Sequence, residues 1–191
     1  MQWSDEELVG RHLRGDRLAF RKLVDRYTRS IYNLAHRFTA DRAEAEDIVQ
    51  ETFLRVYRAL PNSRLDLPFR PWLFRIAVNL CRDWTKKRRP APFSALEVGR
   101  DGISPYEEIP DDAPLPLDQI EAEEMKSLLA QAVAELPDPY RLAVTLRYTE
   151  GLSYQEIADA LDIPLNTVRT HLFRARRLLR QTLEHRLGEN P

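Results

Sequence analysis

Residues 152–180 read LSYQEIADALDIPLNTVRTHLFRARRLLR, and this stretch decides the fold. Ser153 and Glu156 stand in the spacing of a capping box, which starts a helix at that point. Ile157, Ala158 and Leu161 form its inner face, with Ala158 small where a second helix must approach closely. Asp-Ile-Pro at 162–164 ends it: Asp162 can take the left-handed conformation, Ile163 fills the core and Pro164 stops continuation. A second helix begins near Asn166 or Thr167, with Val168, Leu172, Ala175, Leu179 and Leu183 as its inner stripe. Its outer face shows Asn166, Thr167, Arg169, Thr170, Phe173, Arg174 and Arg177. A capped helix, a three-residue break and a basic second helix together read as a helix-turn-helix. A helix about 10–12 Å wide fits the major groove of DNA. Its first turns, carrying Arg169 and Thr170, would meet base edges, while Arg174, Arg176, Arg177 and Arg180 supply charge for phosphates. The alternative, a solvated arginine-rich helix end complementing its own dipole, accounts for the charge but not for the cap and break beside it.

The rest of the chain is helical by the same criteria. Ser4 with Glu7 makes another capping box for a short helix ending near Gly15. A second helix runs from about Leu18 with Phe20, Leu23, Val24, Tyr27, Ile31, Leu34 and Phe38 on its stripe. Asp41 caps a third that buries Ala45, Ile48, Val49, Phe53, Val56 and Leu60. The loop PNSRLDLPFRP follows, and Pro71 suits the first position of a fourth helix carrying Trp72, Leu73, Ile76, Ala77 and Leu80. Residues 90–118 hold six of the thirteen prolines without periodicity, the composition of a linker. Helical spacing resumes near Gln119 with Ile120, Met125, Leu128, Leu129, Ala132, Val133 and Leu136, breaks at LPDPY and continues from Tyr140 to Tyr148. No alternating β-branched run survives. The expected architecture is all-α, with two small helical domains, 1–89 and 119–191, joined by a Pro-rich acidic tether at 90–118.

Charge is segregated although the net is only -1. Residues 1–89 hold 19 Lys/Arg against 12 Asp/Glu, residues 90–118 hold Arg100 against seven acids, and residues 165–187 hold six arginines against Glu184. Basic ends around an acidic middle point to polyanion binding by the ends. Cys81 is the sole cysteine, so an internal disulfide or cysteine-rich zinc site is excluded. It sits with Ala77, Leu80 and Trp84 and reads as a small buried residue. His12, His36, His171 and His185 show no ligand spacing. MQWSDEEL has no signal-peptide character, and no apolar run reaches the ~20 residues of a bilayer span. A cytoplasmic protein is expected, with no further domain after Pro191.

Three stretches carry a family resemblance. Residues 135–180, ELPDPYRLAVTLRYTEGLSYQEIADALDIPLNTVRTHLFRARRLLR, resemble the fourth conserved region of the extracytoplasmic-function (group IV) sigma factors of the bacterial sigma-70 superfamily. Residues 41–60, DRAEAEDIVQETFLRVYRAL, resemble the part of their second region that grips core polymerase. Residues 68–90, PFRPWLFRIAVNLCRDWTKKRRP, resemble the part that melts and captures the -10 element. All three come in the family's order and spacing. The family often has glycine where Asp162 and Asn166 stand, and arginine or lysine where His171 stands.

The resemblance implies a promoter-specificity subunit with no catalytic site, cofactor, metal or small-molecule substrate of its own. Its partners would be core RNA polymerase, through the β′ clamp helices and the β subunit, promoter DNA in double- and single-stranded form, and an anti-sigma factor that could hold it at the membrane. Asp47, Gln50, Glu51 and Arg55 would form the polymerase-binding face. Read without the family, Asp47 and Glu51 are also candidates for paired catalytic or metal-binding carboxylates, or for a solvated face with an internal Glu51–Arg55 pair. The first of these lacks any matching histidine or acidic pair. For the -10 element the resemblance implies Asn62, Ser63, Arg64 and Asp66 around a flipped base, and Ile76 and Asn79 on the non-template strand. Asn79 has a plain alternative as a hydrogen bonder within its helix. Melted DNA requires aromatic or apolar surfaces and a basic track. Phe69, Trp72, Phe74 and Trp84 are available for the former, though Trp72 and Phe74 cannot both face out and Trp72 is read as largely structural. Arg64, Arg70, Arg82, Lys86, Lys87, Arg88 and Arg89 are available for the latter. For the -35 element the expected contacts are Asn166, Thr167, Arg169, Thr170, His171, Arg174 and Arg177, with Arg147 reaching phosphate beside the motif. Twenty-nine extended residues reach at most about 95–100 Å, beyond the ~70 Å of two turns of DNA. The tether therefore lets both domains bind separated elements at once, whether it merely solubilises or, as in the family, threads the polymerase.

Overall fold

The computed structural model describes residues 3–62, 68–88 and 122–188. Eight α-helices occur among them: α1 (Asp5–Leu13), α2 (Arg17–Thr39), α3 (Arg42–Ala59), α4 (Phe69–Arg88), α5 (Ala122–Glu135), α6 (Asp138–Val144), α7 (Tyr154–Leu161) and α8 (Leu165–Gly188). No strand occurs among the described residues. The expected tether 90–118 and the loop residues Ser63, Arg64 and Asp66 lie outside them.

Local chemistry sets the helix starts. Ser4–Glu7 and Ser153–Glu156 both form complete capping boxes, Ser Oγ accepting from the Glu N–H and the Glu carboxylate accepting from the Ser N–H. The Asp16 carboxylate accepts from Leu18 and Ala19, and that of Asp41 from Glu44. Each such cap contributes on the order of 1 kcal/mol. Asp162 takes the left-handed conformation at the end of α7, with φ 57°. Two boundaries differ from the sequence expectation. Helix α4 begins at Phe69, so Pro71 sits inside the first turn, where its missing N–H is still one of the unpaired donors. Helix α8 begins at Leu165, where Pro164 accepts from Thr167 and Val168.

Helices α1 to α4 pack around Leu8, Leu23, Ile31, Leu34, Val56, Phe69, Leu73 and Phe74, all essentially shut from solvent. Helices α5 to α8 pack around Leu142, Leu146, Ile157, Val168 and Leu172. Between α6 and α7 the backbone widens into a π-helical turn at Thr145–Thr149, and Gly151 supplies the positive φ that redirects the chain into α7. The two halves also meet each other, through α4 against α7. Arg75 donates to the Asp159 carbonyl (2.9 Å) and the Asp162 carboxylate (2.8 Å). Arg70 donates to the Glu150 carbonyl and lies 3.6 Å from the Glu156 carboxylate. The Arg141 guanidinium covers the Phe38 ring at 4.3 Å.

Candidate nucleic-acid and polymerase interfaces

Helix α8 is held by Val168, Leu172, Ala175 and Leu179, which are buried, and by Leu183, which is partly so. That anchoring turns Asn166, Arg169, Phe173 and Arg177 to solvent, with Thr167, Thr170 and Arg174 at the margins. The Thr170 hydroxyl donates to the Asn166 carbonyl at 2.9 Å, so its lone pairs face outward. Arg174 reaches the Tyr140 hydroxyl at 3.4 Å and Arg176 that of Tyr148 at 2.7 Å. Two of the expected contacts sit differently from the rest. His171 is half-buried, edge-on to Tyr140 at 5.4 Å, with Nδ1 shut from solvent. Burial, with Arg174 and Arg82 nearby, pushes its pKa down, so it carries little charge for a phosphate. Arg147 donates to the Leu152 carbonyl (3.2 Å) and stacks near Tyr154, supporting the approach to α7.

On α4, positions 75, 79, 82 and 86 fall at helical spacing and make one stripe of Arg75, Asn79, Arg82 and Lys86. Asn79 and Lys86 are exposed, as is Lys87, whereas Ile76 and Arg82 are partly covered. Asn62 is exposed at the end of the short 3₁₀ turn that closes α3. Phe69 and Phe74 are fully buried, so neither can stack on a base. Trp72 packs against the core beside Phe69, its ring 6.0 Å away, in line with a largely structural role. Trp84 is likewise packed at the core's margin.

Along α3, Asp47, Gln50 and Arg55 are exposed, and Glu51 accepts from Arg55 at 2.7 Å. Asp47 and Glu51 stand one turn apart, and among the described residues no group of three His, Cys, Asp or Glu is placed to hold a metal ion. Sequence reading expected an apolar centre among these polar residues but named none of its side chains. Leu54 (47% exposed) and Tyr57 (51%) stand on the same face, Leu54 four residues after Gln50 and Tyr57 seven. Tyr57 meets Phe20 edge-on at 5.2 Å and His12 at 5.4 Å. An apolar centre ringed by carboxylate, amide and guanidinium is the composition of a docking face.

Two buried groups, Glu150 and Arg141, and the partly covered Arg82 were not legible in advance. Glu150 has its carboxyl among Ser30, Arg37 and Arg70, and desolvation outweighs these partners, raising its pKa. Its Oε1 has no hydrogen-bond partner. Arg82 donates weakly to the Leu161 carbonyl (3.4 Å) and leaves Nε unpaired. Arg141 donates to the Ala134 carbonyl (3.1 Å) and pairs with Asp138. Cys81 is fully buried, and burial pushes its thiol up to about 12.

Fold and site together define a two-part helical protein that presents a basic recognition helix from one half and a basic, amide-bearing stripe from the other. Residues 23–90 match the family described as Sigma-70 region 2, and residues 126–179 match Sigma-70, region 4. The chain is 39% identical over 171 residues to the ECF RNA polymerase sigma factor SigW of Bacillus subtilis (strain 168), covering 89% of this chain and 91% of that one. It is 38% identical over 180 residues to the ECF RNA polymerase sigma-E factor of Escherichia coli (strain K12), covering 92% of each. The solved structure of CnrH in complex with the cytosolic domain of CnrY superposes with a TM-score of 0.70 at 26% identity, over 95% of this chain and 97% of that one. The sigma factor RpoE bound to the anti-sigma factor NepR from Bartonella quintana shares the fold, with a TM-score of 0.61 at 21% identity over 86% and 96%. The chain belongs to the extracytoplasmic-function sigma factors of the sigma-70 family.

Proposed function

We infer that this sigma factor binds core RNA polymerase, directs it to promoters with distinct -10 and -35 elements, and helps open the DNA at the former. The observation that carries this reading is the coexistence in one chain of a solvent-facing basic helix α8 and a separate stripe on α4. A protein that only binds duplex DNA needs the first and not the second. In this reading Arg169 and Thr170 meet -35 base edges from the first turns of α8, and Asn166, Thr167, Arg174 and Arg177 hold the phosphates around them. Asn79 and Ile76 meet the displaced strand, with Arg82, Lys86 and Lys87 along its backbone. Unstacking costs a few kcal/mol per step, and binding the single strand offsets that cost. Asp47, Gln50, Glu51 and Arg55 dock on the polymerase around Leu54. The chain contributes specificity rather than catalysis, acts in the cytoplasm, and has an anti-sigma factor as its partner when silent. Domain limits of 1–89 and 119–191 with a tether at 90–118 fit this division of labour.

Run-off transcription with purified core polymerase, with and without the chain, on a library of promoter-like duplexes tests the reading. Initiation from a two-element subset only when the chain is present is the expected result. Binding of the chain to duplex DNA with no effect on core polymerase would overturn it in favour of a stand-alone repressor or activator.

A further inference from the structure

Two of the four residues in the stripe on α4, Arg75 and Arg82, already have partners in the other half of the chain, while Asn79 and Lys86 stay exposed. Arg75 and Arg82, which flank Asn79 at four and three residues, both point their guanidinium groups at the carboxy-terminal end of α7. The last carbonyls of a helix lack internal partners and carry the negative end of its dipole. Here the Asp159 carbonyl accepts from Arg75 and the Leu161 carbonyl from Arg82. Asp162, just beyond the helix, adds a full carboxylate 2.8 Å from Arg75. This combination of carbonyl oxygens and one anionic group is what a phosphodiester would offer the same arginines. Burial, then Arg174 and last Arg82, lowers the pKa of His171 on the recognition helix.

We propose that the carboxy-terminal half is an internal competitor for the -10 single strand: the end of α7, with Asp162, stands in for the DNA backbone on α4 and keeps the free chain self-masked. The proposal rests on the functional reading of α4 given above. The arginine donors cannot serve both partners at once, so strand binding requires the α4–α7 contact to open. Its strength fits a resting contact rather than a permanent one. The Arg82 bonds are long at 3.4 Å, Arg82 Nε is left unpaired, and the Asp162 side chain is 79% exposed. The superposition on CnrH, which extends over 95% of this chain, includes both halves, and in that structure CnrH is held by the cytosolic domain of CnrY. In the present chain the halves meet through their own residues.

A chain whose competent form is a minority shows its apparent affinity reduced by that fraction. The full-length protein, at about 0.15 M salt to confine charge effects to about 8 Å, is titrated into a fluorescent pool of random single-stranded oligonucleotides without polymerase, and its radius of gyration is measured by small-angle scattering. Asp162→Lys, which turns the attraction to Arg75 into repulsion, is expected to enlarge the radius and tighten strand binding roughly fivefold. Asp162→Gly keeps the left-handed turn without strain and removes only the carboxylate, with about a twofold gain expected. Glu6→Lys on α1 changes net charge as much as Asp162→Lys but lies outside the contact, and a gain there below about twofold separates unmasking from general attraction. Equal gains for Glu6→Lys and Asp162→Lys, or an enlarged radius with unchanged strand affinity, would overturn the proposal. So would an unchanged radius in both Asp162 variants. Run-off transcription with the unmodified chain is scored separately: its failure sinks the functional reading, whereas its success beside unresponsive Asp162 variants sinks only the masking.

Discussion

Arg169 and Arg174 stand five residues apart on α8, which separates them by about 140° around the helix axis. Arg169 is exposed near the helix start, while Arg174 is half-covered and leans on the Tyr140 hydroxyl. Arg169→Ala should therefore cost about 1–3 kcal/mol of specific binding and relax preference at one base, whereas Arg174→Ala should weaken all sequences alike and lower the salt slope by about one. Gel-shift titrations on variant -35 duplexes at several salt concentrations distinguish the two patterns. Parental affinity in both variants would remove α8 from the groove. A second residue-scale prediction concerns Glu150. Its raised pKa means that its contribution to stability is full below the ordinary carboxylate range and is lost as pH climbs through the raised value. Glu150→Gln, neutral throughout, is expected to raise the urea midpoint at neutral pH and to lose that advantage toward pH 4. His171 pulls the other way, since its lowered pKa makes its contribution present above about 6.5 and lost as pH falls through the lowered value. Both proteins carry His171, so it cancels in the difference. Of these residues, the reading of α8's outer face was available from spacing alone. Nothing in the sequence marks Glu150 as buried, because its partners Ser30, Arg37 and Arg70 come from helices more than seventy residues away.

Helix starts were legible because a cap is a local event: a Ser or Asp, a Glu three residues on, and an apolar run are all the information required. Ser153→Ala removes one half of the capping box that opens α7 and should cost about 1 kcal/mol in denaturant midpoint experiments. The polar face of α3 was equally visible, since its inner stripe of Ala45, Ile48, Phe53 and Val56 leaves the complementary positions outside. The residues of its apolar centre were not. Leu54 follows the buried Phe53 directly, and a leucine in an apolar-rich helix reads as core by default. Exposure distinguishes it: Leu54 is 47% open to solvent, beside the similarly exposed Tyr57. Leu54→Glu should therefore leave thermal stability within about 0.5 kcal/mol of the parent while weakening association with core polymerase at least tenfold, as truncation of an interface anchor does. Measuring both on one variant separates the roles. Loss of stability together with binding would place Leu54 in the core, and full binding would move the docking face elsewhere on the chain.

At the scale of the whole molecule, the sequence reading put two helical units on a tether, assigned Arg70, Arg82 and Arg88 of α4 to nucleic acid and gave Arg75 no role. That assignment is natural because a guanidinium aimed at a phosphate and one aimed at a helix end have the same sequence signature. Only the tertiary arrangement shows that Arg70, Arg75 and Arg82 have partners in the other half. Arg141 is the reciprocal case, a charged residue of the carboxy-terminal half with 8% of its surface exposed, lying over Phe38 of α2. It holds three things together: the Ala134 carbonyl at the end of α5, the Asp138 carboxylate in the first turn of α6, and the face of the Phe38 ring. Removing it leaves the partly covered Asp138 carboxylate and the Ala134 carbonyl without their partner, which costs on the order of 1–3 kcal/mol, and forfeits a cation–π contact worth about 1–2 kcal/mol. Because the first loss lies within one half and the second between halves, the two can be separated. Phe38→Leu stays apolar but deletes the ring, losing its face and some core volume. It should lower the denaturation midpoint modestly and enlarge the free chain's radius, whereas Arg141→Ala should lower the midpoint more and enlarge the radius as well. If Phe38→Leu leaves the radius unchanged while Arg141→Ala unfolds the carboxy-terminal half, Arg141 serves its own half alone. The contact between halves would then rest on the α4 arginines.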